Sequence, residues 1–162
     1  MGKLVMERNT SDNKYLHRDF HVSADAGLAY VGRRWGEAGV KDYLQRFACS
    51  WYSPLIDEIK AKGLGALREH LEKIYNTEET PDVLHIDFNA AEMRVRIDRC
   101  PAVSYMRSAG TEPSPWYGEL TSTVNRVIAE KSGFGFEMIS YEKETGKAEY
   151  RFYKISGTAE EG

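Results

Sequence analysis

Three groups of residues could do chemistry, and the first contains the cysteine of the motif Cys-Pro-Ala-Val. The 162-residue chain has two cysteines, Cys49 and Cys100, and Cys100 directly precedes Pro101 at the end of a predicted strand. Because proline cannot donate a ladder hydrogen bond, strand pairing should loosen there and leave space for a ligand. A thiolate is a nucleophile and a metal ligand if a cation, a base or a helix N-terminus lowers its pKa. The alternative is a small, semi-buried residue that only fills space.

The second group is the segment His-Arg-Asp-Phe-His, which contains His17, Asp19 and His21. On an extended segment the three side chains share one face, whereas on a helix His17 and His21 are neighbours four residues apart. Either geometry can bind a metal or form a base that a carboxylate orients. The alternative is that Asp19 caps the first helix and the histidines pack around its start. His70 lies on a charged helix face and is expected to be solvated.

The third group is the segment Ser-Pro-Trp-Tyr-Gly-Glu-Leu-Thr at the start of a predicted helix. Trp116 and Tyr117 could cover a small planar ligand, and amides of the first turn could receive a substrate carboxylate. Glu119 suits the positive end of the helix dipole, which by itself explains its place. The alternative is ordinary packing of two aromatic side chains under a loop. Arg107 follows Cys100 closely and could pair with an anionic ligand.

The first part of the chain is predicted to be helical. One helix is predicted to run to about Gly36, and a second helical stretch runs from there to Gly63, with a kink near Ser50 because Pro54 interrupts it. A third helix follows and ends at the segment Thr-Glu-Glu-Thr-Pro-Asp. The apolar positions of these helices are predicted to face inward: Ala24, Leu28, Val31, Trp35, Val40, Tyr43, Leu44, Phe47, Trp51, Leu55, Ile59, Leu67, Leu71 and Ile74.

The pattern then changes to the alternation of strands. Residues 83–88 and 93–100 predict an antiparallel hairpin with one solvated face, and the alternation places Cys100 on that polar face. Ser114 is predicted to cap the next helix, with Pro115 as its first residue, and a second hairpin closes the chain. This order predicts an α+β fold with a four-stranded antiparallel sheet packed against about four helices. We expect residues 14–156 to form this single domain between flexible ends, residues 1–13 and 157–162.

Composition excludes several classes of protein. Lys and Arg number 22 against 25 Asp and Glu, a net charge of −3, which disfavours a general nucleic-acid binder. No apolar run is long enough for a membrane span, and no apolar core of a secretion signal follows the first residues, so we expect a cytoplasmic protein. Two cysteines cannot form a disulfide scaffold or a zinc motif. The exposed edges of the sheet make a homodimer conceivable.

The motifs together resemble the L-2-amino-thiazoline-4-carboxylic acid hydrolase family. The resemblance covers roughly residues 14–154, and its specific pieces are His-Arg-Asp-Phe-His, Cys-Pro-Ala-Val and the Glu-x-Thr of Gly-Glu-Leu-Thr. It implies ring opening of a cyclic amino-thiazoline acid at a C–N bond, a step toward cysteine through S-carbamoyl-cysteine. Carried over by position, it marks Cys100, Asp19, His21, Glu119 and Thr121.

The sequence departs from the family pattern at two positions. Relatives often carry a cysteine where this chain has Gly118 and a histidine where it has Tyr105. The family also has the plan of helices followed by a sheet that some small-molecule-binding domains share.

The leading hypothesis is therefore a hydrolase that opens a small cyclic amidine. Cys100 would be the nucleophile or a thiol that contacts the ligand. His21, oriented by Asp19 and assisted by His17, would be its base or would activate a water molecule. Predicted substrate contacts are Trp116, Tyr117, Glu119, Thr121, Tyr105 and Arg107. One alternative is a non-catalytic sensor or carrier of a small ligand. Another is a metal or haem protein that uses Cys100 with the early histidines; the sequence itself identifies no cofactor.

Overall fold

The structure, a computed structural model, describes the backbone of residues 14–156 and the side chains of residues 20–156. Its elements in chain order are α1 (Lys14–Trp51), α2 (Ser53–Lys62), α3 (Leu64–Thr77), a 3₁₀ turn (Pro81–Val83), β1 (Leu84–Phe88), β2 (Glu92–Ile97), α4 (Pro101–Ser108), α5 (Glu119–Ser132), β3 (Phe134–Tyr141) and β4 (Ala148–Lys154). The fold is α+β, as the sequence predicts. The predicted flexible ends, residues 1–13 and 157–162, lie outside the described residues.

Helix α1 folds back on itself at Gly36. A straight helix would separate Phe20 from Trp51 by about 46 Å, at about 1.5 Å per residue. Their ring centroids are instead 6.0 Å apart and the rings are stacked. Gly36 has φ 69° and ψ −167°, a backbone conformation that glycine adopts without steric cost. The predicted interruption at Gly36 is thus confirmed, and α1 forms two antiparallel arms, residues 14–35 and 37–51.

The four strands form one antiparallel sheet in the order β1-β2-β4-β3. Each hairpin of the sequence forms as predicted, and the hairpins join where β2 pairs with β4. One face of the sheet packs against the helices. The other is polar and carries cross-strand ion pairs, among them Arg151 with Glu137 (2.6 Å) and with Glu92 (2.9 Å). The prediction of one solvated face is confirmed.

The core lies between the helices and the inner face of the sheet. Its most deeply buried large side chains are Leu28, Val40, Leu44, Ile59, Leu67, Met93, Val95, Tyr150 and Phe152. Three predicted core residues are exposed instead: Trp35 (58%), Tyr43 (46%) and Trp51 (54%). The apolar periodicity puts these three residues in the core only if each helix buries all of its apolar positions. The two arms of α1 bury narrower seams around Leu28 and Leu44, which leaves the aromatic rings on the outer side.

The predicted position of Cys100 was wrong. Strand β2 ends at Ile97, and Cys100 is the N-cap of α4, a helix that the sequence analysis did not predict. Because Pro101 is the first helical residue, its fixed φ starts a helix rather than merely ending a strand. The strand alternation stops before Cys100, so the residue is not on the polar face. It packs instead against a small apolar cluster of Ala102, Val103, Met106 and Tyr117.

Two predicted helix caps were also wrong. Helix α5 begins at Glu119 with Gly118 at its N-cap, and residues 115–118 form a turn before it. Ser114 instead donates from its amide and its hydroxyl to the Asp25 carboxylate. Asp19 lies inside α1, which begins at Lys14, and therefore cannot cap that helix. Within the described part of the chain, no helix is both long and apolar enough to cross a membrane.

Candidate functional site

A cavity of about 150 Å³ lies between the helices and the inner face of the sheet. This is the volume of an apolar cavity that admits a benzene-sized molecule, and it is below the ~300 Å³ at which pockets for drug-sized ligands begin. The polar side chains among its lining residues, apart from four tyrosines, are His21, His70, Glu78, Cys100, Thr121 and Asn125. Segments that are distant in the sequence therefore meet around one small space.

Backbone contacts fix Cys100 at the edge of this cavity. Its amide donates to the carbonyl of Thr145 (2.9 Å), in the turn between β3 and β4. Its own carbonyl accepts the amide of Ser104 (3.0 Å), which is the first hydrogen bond of α4. Gly146 of the same turn packs directly against the Cys100 side chain. The thiol is thus held between a turn and a helix start rather than on a flexible strand end.

The thiol of Cys100 is protonated at rest. Burial raises its pKa above the ordinary value for cysteine, although the amides of Val103 and Ala102 and the hydroxyl of Tyr117 act in the opposite direction. The thiol makes no capping hydrogen bond of standard geometry, so the amides at the start of α4 favour the thiolate without securing it. A reaction at this sulfur consequently needs a base to remove the proton.

Tyr117 and His21 lie at the same end of the cavity as Cys100. The Tyr117 hydroxyl is 3.4 Å from Nδ1 of His21, and the Tyr117 ring is buried beside Cys100. Burial, followed by the charge of a thiolate at Cys100, raises the pKa of Tyr117 well above its usual range. Tyr117 therefore stays a neutral hydroxyl, which can donate one hydrogen bond and accept another.

A further part of the cavity lining is formed by residues of α3 and of the segment that joins α1 to α2. The rings of Tyr52 and His70 meet edge to face, with centroids 5.9 Å apart. Burial, and secondarily Lys73, lowers the pKa of His70, so this imidazole is neutral at physiological pH. The buried side chain of Glu78, at the C-terminal end of α3, also lines the cavity.

Sequence analysis missed this part of the lining. The expectation that His70 is solvated was wrong, because Tyr52 and the cavity cover it. Its neighbours on α3 are charged, including Arg68 and Glu72, which form an exposed ion pair, and that pattern indicated a solvated face. The contact that covers the histidine is with Tyr52, which is distant in the sequence, and no local sequence pattern indicates it.

Four predicted contact residues lie away from the cavity lining. The Trp116 ring packs on Gly32 of α1, Glu119 accepts a hydrogen bond from the Thr123 hydroxyl, and the Arg107 guanidinium pairs with Glu112 (2.8 Å). Tyr105, half-buried on α4, is not among the lining residues. Of the predicted set, the cavity brings together Cys100, His21, Tyr117 and Thr121. The side chains of His17 and Asp19 lie outside the described residues.

Gly118, where relatives in the resembled family often carry a cysteine, lies against a tyrosine ring. A Cβ atom at this position would come within 2.7 Å of Cε1 of Tyr141. A cysteine at this position would therefore require the Tyr141 ring to move. The ring occupies the space that such a side chain would need.

We predict that Asp25→Asn lowers the free energy of unfolding by about 1–3 kcal/mol, the cost of leaving buried polar groups poorly paired. Asp25 is buried on α1 and accepts from the amide and the hydroxyl of Ser114, which ties the loop before α5 to that helix. An asparagine at position 25 would direct its NH₂ group, which is a donor, at either the amide or the hydroxyl of Ser114, which are donors too. Urea unfolding measures the change.

The matched control for this prediction is Asp42→Asn on the same helix. Asp42 pairs with Arg46 at 3.1 Å, and both side chains are largely exposed. Such a pair contributes about 0.5 kcal/mol or less. Equal losses for the two substitutions would show that the Asp25–Ser114 contact does not hold the loop.

Within the described residues, no group of three or more His, Cys, Asp or Glu side chains is placed to hold a metal ion. Comparison of the chain with protein-family models gave no match, and comparison with curated proteins gave none either.

Proposed function

We propose that this protein is a hydrolase that opens a small cyclic amidine carboxylic acid, of the amino-thiazoline type, at a ring C–N bond. One observation carries the proposal: the thiol of Cys100 and the imidazole of His21 come from distant segments and line the same small cavity. A nucleophile and a base that line one cavity are the minimal requirement for covalent hydrolysis. The resemblance of the motifs around both residues to the amino-thiazoline hydrolase family supports the same choice of substrate.

The reaction proceeds in two steps at one carbon atom. In the first, the Cys100 proton passes to His21, the sulfur attacks the amidine carbon, and the ring C–N bond breaks. The released nitrogen takes the proton from the imidazole, which is general acid catalysis by the former base. In the second, a water molecule attacks the same carbon with His21 again as base, and the Cys100 sulfur leaves with the proton. One water is consumed and the ring is open.

The described lining suggests how the substrate is held. Arg107 pairs with Glu112 and lies away from the cavity lining, so we do not assign it the substrate carboxylate. Two of the predicted contacts that line the cavity carry hydroxyl donors, Tyr117 and Thr121, and we assign the substrate carboxylate to Thr121 of α5. The Glu78 carboxylate, at the C-cap of α3, suits the amidine nitrogens. A five-membered ring matches the cavity volume.

Incubation of the purified full-length chain with the amino-thiazoline acid tests the proposal. We expect a product one water heavier than the substrate, detected by mass spectrometry, because hydrolysis retains both nitrogens. We predict that His21→Ala slows this turnover by about 10²- to 10⁴-fold, the usual contribution of a general base. His85→Ala is the control, since His85 pairs with Asp98 at 2.7 Å on the polar sheet face. No turnover by the wild-type protein, or equal turnover by His21→Ala, would contradict the proposal.

A second candidate function is non-catalytic binding of a small planar ligand. The specific observation is that the cavity is lined by Tyr52, Tyr75, Tyr117 and Tyr150 and that its thiol is protonated at rest. Both features suit a binding site that need not react. Native mass spectrometry of protein purified from cells distinguishes the two. A co-purifying organic ligand together with absence of hydrolysis would favour the carrier.

A further inference from the structure

We infer that Tyr117 carries the proton between the Cys100 thiol and the His21 imidazole. A role of this proton transfer in catalysis rests on the proposed function. The transfer itself changes the ionisation of the Cys100 thiol, which can be measured without any substrate. By this assignment Tyr117 is a catalytic residue that exchanges a proton with the reacting sulfur, in contrast to the substrate contact that the sequence predicted.

The Tyr117 side chain is in contact with both groups. Its hydroxyl lies 3.4 Å from Nδ1 of His21, and its ring packs in the same cluster as Cys100. The turn of residues 115–118 fixes the ring, because the Tyr117 amide donates to the carbonyl of Ser114 (3.1 Å) and Ser114 is held by Asp25. A catalytic contact of 3.4 Å can shorten as the substrate complex forms.

The relay is balanced in protons. The S–H bond of Cys100 breaks as its proton goes to the Tyr117 oxygen, and the O–H proton of Tyr117 passes to Nδ1 of His21. The products are a thiolate, a neutral tyrosine that now donates to the sulfur, and an imidazolium. A hydroxyl can perform this exchange because it donates and accepts at once.

The other titratable groups around the thiol do not offer the same path. Glu78, at the C-cap of α3, opposes a thiolate by its negative charge. Burial raises the pKa of Tyr75, Tyr141 and Tyr150 as it raises that of Tyr117, but among the described contacts none of these three hydroxyls is hydrogen-bonded to the thiol. His70 packs edge to face against Tyr52 and has no contact with the thiol among those described. Among these groups, Tyr117 is the one that lowers the pKa of the Cys100 thiol.

The test is the pH dependence of the rate at which iodoacetamide alkylates Cys100. It is measured in a Cys49→Ala background, so that Cys100 is the one thiol that can react. Tyr117→Phe keeps the ring and removes the hydroxyl. We expect it to slow alkylation at neutral pH by about tenfold or more, the loss of a hydrogen bond to a charged group, and to move the profile to higher pH. Tyr43→Phe removes the hydroxyl of an exposed tyrosine on α1 that does not line the cavity, and it should leave the profile in place.

A double-substitution cycle separates a relay from two independent effects. If the proton passes through Tyr117 to His21, the variant with both Tyr117→Phe and His21→Ala should be no slower than the slower single variant. The relay would be overturned if the rate losses of the two single variants multiply in the double variant. It would also be overturned if Tyr117→Phe leaves the pH profile of alkylation unchanged. Replacing Tyr117 with 3-fluorotyrosine retains the hydroxyl and the packing. Its more acidic hydroxyl should shift the profile to lower pH, and an unshifted profile would also count against the relay.

The relay and the proposed hydrolase can fail separately. A changed alkylation profile without turnover of the amino-thiazoline acid would leave the relay standing and remove the proposed substrate. Turnover with an unchanged profile would leave the hydrolase standing and remove the relay.

Discussion

The Cys100→Ala protein is expected to open the amino-thiazoline acid at least about 10³-fold more slowly than the wild-type protein, since removal of a nucleophile is among the most damaging changes to an enzyme. The substitution removes only the sulfur. The backbone contacts of residue 100 with Thr145 and Ser104 do not depend on the side chain, so α4 should still begin at Pro101. Turnover per folded molecule, followed by product mass, is the measurement.

The chain offers a matched control in its other cysteine. Cys49 is also a partly buried free thiol, but it lies on α1 against the main core and does not line the cavity. Cys49→Ala should therefore keep turnover within about twofold of the wild-type value, since surface and core positions away from a site leave the chemistry intact. Full activity of Cys100→Ala, or loss of activity in Cys49→Ala alone, would remove Cys100 from the mechanism. Cys100→Ser tests the nucleophile further, because it restores a side-chain hydroxyl of poor nucleophilicity.

The sequence patterns predicted the fold correctly where the local preference of a segment matches its packing in the whole molecule. The alternation of β2 puts Met93, Val95 and Ile97 on the buried face, and the structure buries all three. Gly63 ends α2 as predicted, with a positive φ of 80° that favours glycine. The positions of these residues follow from strand periodicity and from backbone conformation, both of which depend on only a few neighbouring residues.

The site depends on contacts that no local pattern reports. His70 lines the cavity and packs against Tyr52, eighteen positions earlier in the chain. Trp116 was expected at a ligand and instead fills the space above Gly32, a contact that requires the first arm of α1 to pass beneath the turn before α5. The composition of a motif predicted which residue types could react, whereas the antiparallel arms of α1 and the turn between β3 and β4 determined which of them meet.

That turn gives the second large effect. Gly146→Ala should lower the free energy of unfolding by about 2–4 kcal/mol, the sum of a left-handed backbone penalty and a steric overlap. Gly146 has φ 68°, and an added Cβ would collide with Cβ of Cys100 and lie 3.1 Å from Cγ2 of Val103. The Cys100 backbone cannot retreat easily, because its amide is bonded to Thr145 of the same turn. Urea unfolding at constant m-value measures the loss.

Gly110→Ala isolates the backbone part of this cost. Gly110 follows α4, has φ 76° and has open space around the position of an added Cβ, so its replacement should cost only about 1 kcal/mol. If the two variants lose equal stability, the contact between Gly146 and Cys100 is absent. A Cys100→Gly substitution removes the Cβ that collides and should therefore recover the additional loss in the double variant. Because the same overlap pushes on the residue that carries the thiol, Gly146→Ala should also change the alkylation rate of Cys100, which Gly110→Ala should leave unaltered.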